Sequence, residues 1–172
     1  SGADVAMTAS AVLDGGPSGP AAKLTLKAQR MQARSFLRFW PTLVAPEARA
    51  WFIESLRSGT LEEGDLALDL DRATLLSPPR SPVPENAVAL SFRVSDATLD
   101  YLPGAPPLTA VVGKGRVGGR SADFVASSAE VRVGDRRLTL SDARFEAPDF
   151  VPDPVAAKVT ARVQGTLEAV MD

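Results

Sequence analysis

Apolar and polar residues alternate along most of this 172-residue chain. A period of two puts one face of a β-strand on a core and the other in water. Leu24, Leu26 and Ala28 alternate with Lys23, Thr25, Lys27 and Gln29. Leu66, Leu68 and Leu70 alternate with Ala67, Asp69 and Asp71, and Val88, Leu90, Phe92 and Val94 alternate with Ala89, Ser91 and Arg93. The pattern returns in Ala129, Val131 and Val133, in Leu138 and Leu140, and in Ala157, Val159, Ala161 and Val163. Gly134-Asp135 reads as a two-residue turn. The Gly/Pro cluster from Gly15 to Pro20 reads as a hairpin loop between apolar runs at 4–12 and 21–28. With one apolar and one polar face per run, the pattern predicts an antiparallel sheet solvated on one side.

One stretch breaks the alternation. Phe36, Phe39 and Trp40 crowd together ahead of Pro41, and Pro46 then opens a helical pattern at the first-turn position, where its missing N–H costs nothing. Ala48, Phe52 and Leu56 fall on one stripe flanked by Trp51 and Ile53, while Arg49, Glu54 and Arg57 point to solvent. Gly59 is the expected C-terminal stop. The chain is thus predicted to be mainly β with one prominent helix near residues 46–58. A hairpin occupies 1–31, an aromatic segment with the helix 35–60, and an antiparallel sheet 62–172. Ser95-Asp96-Ala97-Thr98-Leu99 and Ser141-Asp142-Ala143-Arg144-Phe145 echo one another after alternating strands, and Asp71-Arg72-Ala73-Thr74-Leu75 sits in the same way. The echo suggests strands that pass through a polar kink and continue, in an elongated repetitive sheet rather than a sandwich.

Composition narrows the chemistry. Hydrophobic residues at 45% and charged residues at 23% are those of a globular chain. A net charge of −2 argues against nucleic acid as a partner. There is no His and no Cys, which removes the commonest general base, the commonest transition-metal ligands and any familiar Ser-His-Asp triad. Glu62, Glu63, Asp65, Asp69 and Asp71 could share a face suited to Ca²⁺, but they lack a calcium-loop spacing and read as a solvated strand face. Gly113 to Arg120 lacks the phosphate-loop pattern and reads as a glycine-bent strand. Contact of Lys114, Arg116 and Arg120 with anionic head groups is the secondary reading. Tyr101 to Leu108 reads as a rigid turn, with Pro103-Gly104 suited to type II geometry. The expectation is a non-catalytic chain with no cofactor and no metal. No run approaches the roughly 20 apolar residues of a membrane-spanning helix, and no secretory signal is visible. Ser1-Gly2-Ala3 has the look of a cloning remnant, and both ends read as cut boundaries of a longer protein.

Two phrases point to a family. Phe39-Trp40-Pro41 is followed by Ala45-Pro46-x-Ala48-Arg49-x-Trp51, then Leu56 and Gly59. Ser95-Asp96-Ala97-Thr98-Leu99-Asp100-Tyr101-Leu102-Pro103-Gly104-x-Pro106-Pro107-Leu108 comes later. In this order they resemble the AsmA-like proteins of Gram-negative bacteria, in particular the YhdP-type branch with its domain of unknown function. The resemblance runs from about Ser35 to the C-terminus. It implies a periplasmic segment of a parent protein anchored in the inner membrane, and a curved sheet forming an open groove or half-barrel. It also implies a part in envelope homeostasis and in phospholipid transport between the inner and outer membranes. The family offers no catalytic residues. By resemblance Trp40, Pro41, Pro46, Arg49, Trp51, Gly59, Tyr101, Pro103, Gly104, Pro106 and Pro107 are structural.

A helix of about thirteen residues spans some 20 Å and cannot shield the apolar face of five or more strands. The surplus could close as a sandwich, be covered by neighbouring segments of the parent chain, or stay open to phospholipid acyl chains. In the last case the lining is Val88, Leu90, Phe92, Val94, Val131, Val133, Leu138, Leu140, Val159 and Val163. The competing expectation is a scaffolding module that binds protein partners through a sheet edge.

Overall fold

The computed structural model describes residues 6–16, 20–40, 42, 46–78, 81–149, 152 and 156–164, and among these not the side chains of Glu47 and Ala48. Pro41, Ala45, residues 17–19 of the hairpin loop and both chain ends lie outside the described residues. Eight strands form one sheet: β1 (Ala6–Asp14), β2 (Ala21–Gln32), β3 (Leu56–Leu70), β4 (Val88–Leu99), β5 (Leu108–Val117), β6 (Ala122–Val133), β7 (Arg136–Ala147) and β8 (Lys158–Gln164). Their spatial order is their sequence order, and every neighbouring pair is antiparallel. The sheet is curved and does not close. Between β2 and β3 run α1 (Ala33–Phe36), a 3₁₀ turn (Leu37–Phe39) and α2 (Pro46–Ser55); α3 (Arg72–Leu75) and a second 3₁₀ turn (Glu85–Ala87) lie between β3 and β4. No helix among the described residues is long and apolar enough to cross a membrane.

The helix expected near 46–58 stops at Ser55, and the sheet resumes at Leu56 rather than at residue 62. The reason is tertiary. Leu56 pairs with Leu99, and the Ser55 carbonyl accepts the Asp100 N–H at 2.8 Å. Gly59 is therefore not a helix stop. It lies inside β3 at φ 140°, where an added Cβ would sit 2.8 Å from the Ala97 Cα. Close approach of two strands is what requires glycine there.

Register places the alternating apolar residues of all eight strands on one face. Leu26 pairs with Leu66, Leu66 with Leu90, Leu90 with Val117, Val117 with Ala122, and Ala122 with Ala147. Within each long strand the apolar spacing slips once from two residues to three: Ala28 to Met31, Leu61 to Gly64, Val94 to Ala97, Leu108 to Val111, Ala126 to Ala129 and Leu140 to Ala143. A three-residue step in a regular strand would turn the later residues to the polar face. Bulges take up the additional residue instead. They form a crease across the sheet, marked by positive φ at Arg30 (49°), Asp96 (49°), Ala110 (50°) and Asp142 (51°), with register shifts in the β3–β4, β4–β5, β5–β6 and β7–β8 pairs. The kinks expected at Ser95-Asp96 and Ser141-Asp142 are two points on this crease. Asp71, the third member of the echo, instead caps the N-terminus of α3.

The polar face is laced by cross-strand ion pairs. Lys23 meets Asp69 at 2.9 Å, Lys27 meets Asp65 at 3.3 Å and Arg93 meets Glu63 at 2.7 Å, while the Ser95 hydroxyl donates to Glu62. The acidic cluster is thus distributed among separate partners, and no group of three metal-ligating side chains forms among the described residues. Exposed pairs of this kind contribute about 0–1 kcal/mol each. Their consequence is for register, because a one-residue slip would break every one of them.

Two outcomes follow from this geometry. Asp96→Val places a β-branched residue at positive φ and is expected to cost about 1–3 kcal/mol, whereas Asp96→Gly is neutral or stabilising; urea denaturation compares the two. The Thr74 backbone N–H, 2.8 Å from the Asp71 Oδ1, and the Thr74 hydroxyl hold the Asp71 carboxyl below its ordinary value. Its contribution is complete above the unfolded aspartate value of about 3.9 and is lost as pH falls through the lower folded value. Acidification should therefore deprotect the Thr74 amide in hydrogen exchange with a carboxylate titration that Asp71→Asn lacks.

Candidate apolar groove

Helical cover lies over one part of the apolar face. Ala33, Phe36 and Leu37 from the first helical turns, with Trp40, are buried against Leu26, Ala28, Leu61 and Leu66. Phe36 lies over Gly64, whose added Cβ would come within 3.1 Å of the ring. From there aromatic rings form a row across the strands. Trp40 and Phe52 have centroids 5.8 Å apart, Phe52 meets Phe92 edge-on at 6.1 Å, and Phe92 stacks with Phe124 at 6.2 Å. Such pairs contribute about 0.5–1.5 kcal/mol beyond their burial. Arg49, from α2, donates to the Trp40 carbonyl at 3.0 Å and fixes the start of the row.

Gly113 and Gly115 make room for these rings. Gly115 pairs regularly with Phe92 and Phe124, Gly113 stands beside a register shift between β5 and β6, and neither has positive φ. An added Cβ at Gly115 would stand 2.5 Å from Phe92, and one at Gly113 would stand 2.8 Å from Phe124 and 2.7 Å from the Val125 carbonyl oxygen. Gly118 and Gly119 turn from β5 into β6 against the Glu85 loop. Glu85 accepts from the Arg120 N–H at 2.7 Å and from the Ser121 hydroxyl at 2.6 Å. The Arg120 guanidinium pairs in turn with Asp149.

Beyond Phe124 the row reaches Phe145 and then Val159 by register, and the cover thins. Phe145 is 38% exposed, Val163 48% and Val159 71%. The opposite edge is open too, with Met7 and Leu13 of β1 exposed on the face that carries Leu26 and Leu24. The ten residues expected to line a groove therefore divide by strand. Val88, Leu90, Val94 and Leu138 are buried; Phe92, Val131, Val133 and Leu140 are half-buried; Val159 and Val163 are exposed. Ala161 and Phe145 complete the open part of the face, and Phe145 was hidden from periodicity because it follows the crease.

The motif residues separate in the same way. Trp40 is buried, Pro46 opens α2, and Trp51 and Tyr101 keep large exposed surfaces. Pro103-Gly104 forms the expected turn, with Gly104 at φ 82° and the Ala105 N–H bonded to the Leu102 carbonyl at 3.1 Å. Pro106 and Pro107 are half-buried beside it. An open trough of about 520 Å³ is lined by Leu26, Leu66, Val88, Leu90 and Val117 together with Lys27, Asp65, Ser91, Arg116 and Asp123.

Comparison with protein-family models, with curated proteins and with solved structures finds no match to this chain.

Proposed function

We propose that this chain is a periplasmic segment of an AsmA-like protein anchored in the inner membrane, and that its apolar sheet face carries phospholipid acyl chains between the inner and outer membranes. The observation that carries this reading is the mismatch between face and cover. Apolar residues continue on one face through all eight strands, while the aromatic cap is centred on β2 to β5 and Phe145, Val159 and Val163 stay accessible. A contiguous apolar surface rimmed by charge is the surface that an extended acyl chain recognises. The two family phrases support the assignment to this lipid class and compartment. In the parent chain, neighbouring segments of similar build would lengthen the face into a path.

A fluorescent fatty acid titrated into purified protein tests the reading. Binding is expected, and Val163→Asp combined with Phe145→Ser should weaken it about tenfold, since burying one valine side chain is worth about 1.5 kcal/mol or more. Thr160→Asp, on the polar face of β8, should leave binding unchanged. Equal loss from both faces, or no binding by the parent protein, would refute the proposal.

A further inference from the structure

Four large apolar side chains are exposed at one end of the sheet, away from its first and last strands: Phe39 (40%), Trp51 (43%), Tyr101 (42%) and Leu102 (58%). At this end β2 finishes, β3 begins and β4 finishes, with Gln32 opposite Thr60 and Leu56 opposite Leu99. The junction of α2 with the turn after β4 is fixed, because the Ser55 carbonyl accepts the Asp100 N–H at 2.8 Å and Arg57 pairs with Asp100. Trp51 lies one helical turn ahead of Ser55, about 6 Å along the axis, and Tyr101 and Leu102 directly follow Asp100. Trp51 also meets Phe52 edge-on at 5.0 Å, and Phe52 packs on Trp40, the neighbour of Phe39, at 5.8 Å.

The fold does not use this surface. Of the chain's two tryptophans and one tyrosine, only Trp40 is buried. The turn that presents Tyr101 and Leu102 is preset by Pro103, by Gly104 at φ 82° and by the Ala105 N–H on the Leu102 carbonyl, so little freedom is lost when it meets a partner. Charge says what that partner is. From Arg30 to Arg57 the chain holds five arginines against two glutamates, in a protein whose net charge is −2. Arg34 and Arg38 are exposed, four residues apart, and make no ion pair among the described residues. An exposed apolar patch rimmed by charge marks an interaction site. Tryptophan and tyrosine beside arginine form the side-chain set that a membrane–water interface selects, with rings at head-group depth and guanidinium groups against phosphate.

We propose that this end of the sheet docks on the surface of a bilayer containing anionic phospholipid, with Trp51, Tyr101 and Leu102 at head-group depth and Arg34 and Arg38 against the phosphates. The chain lies on the bilayer there rather than crossing it. This contact needs no acyl chain on the sheet face and stands apart from the function proposed above.

Flotation of the purified chain with vesicles of phosphatidylcholine, with and without phosphatidylglycerol, tests it. Binding is expected with phosphatidylglycerol and should fall as salt rises. Trp51→Ser combined with Leu102→Ser should weaken it about tenfold or more, and circular dichroism checks that this variant, altered only at exposed positions, is folded. Arg34→Glu with Arg38→Glu should remove the preference for phosphatidylglycerol. Brominated acyl chains should quench the tryptophan emission of the wild-type chain but not that of Trp51→Phe, in which only buried Trp40 remains. Phe145→Ser with Val163→Asp, on the open part of the sheet face, should leave vesicle binding unchanged. No binding to phosphatidylglycerol vesicles, quenching that persists in Trp51→Phe, or equal loss from the Phe145 and Val163 changes would each overturn the proposal. Self-association abolished by the two serines would overturn it as well, and would assign the patch to a second copy of the chain.

Discussion

The whole architecture depends on keeping apolar side chains on one face of a single sheet while the chain departs from strict alternation. A β-strand has no tolerance for an odd residue, because one slip exchanges its two faces. Six strands of this protein contain such a slip, at nearly the same level. Bulges there restore the phase, and Arg30, Asp96, Ala110 and Asp142 adopt left-handed backbone to do it. Aspartate tolerates that conformation comparatively well, which accounts for its use at two of the four sites. A bulge also bends its strand and raises local twist, so the device that preserves the apolar face is the one that curves the sheet.

Cover then sets a gradient across the molecule. The helical segment sets Phe36 over Gly64, and its aromatic row runs from Trp40 and Phe52 onto Phe92 of β4 and Phe124 of β6, for which Gly115 and Gly113 leave room. Outward from this centre the face loses its cap, and β1 and β8 are exposed along their whole length. Local stability follows the density of buried apolar contacts, so the edges are the strands most free to open and re-pair. The most exposed apolar residues of the face therefore lie where the fold holds itself least tightly.

Much of this was legible in the sequence. Alternation located β2, β4 and β8 and parts of β3, β6 and β7, Gly134-Asp135 marked its turn, and the Ser-Asp-Ala echo located two crease positions. The remainder was not, for physical reasons. Arg30 and Ala110 carry no turn signal, because their backbone is imposed by the neighbouring strands. Gly59 has the look of a helix stop, yet its requirement comes from Ala97 across a strand boundary. The paired glycines of β5 read as a bend, and their further role as the floor beneath two phenylalanine rings depends on Phe92 and Phe124 of the neighbouring strands. The division of the expected groove into sealed and open parts depends on where the cap lies, which periodicity does not encode.

The central claim is that acyl chains lie along one face of this sheet and leave the other to water. The most direct measurement is photo-crosslinking from single positions along β7 and β8 in protein exposed to phospholipid vesicles, with adducts read by mass spectrometry. A photoreactive residue at 145, 161 or 163 is expected to capture acyl chains, and one at 144, 160 or 162 is not. Adducts spread evenly over both faces, or none at 145, 161 and 163, would contradict the account.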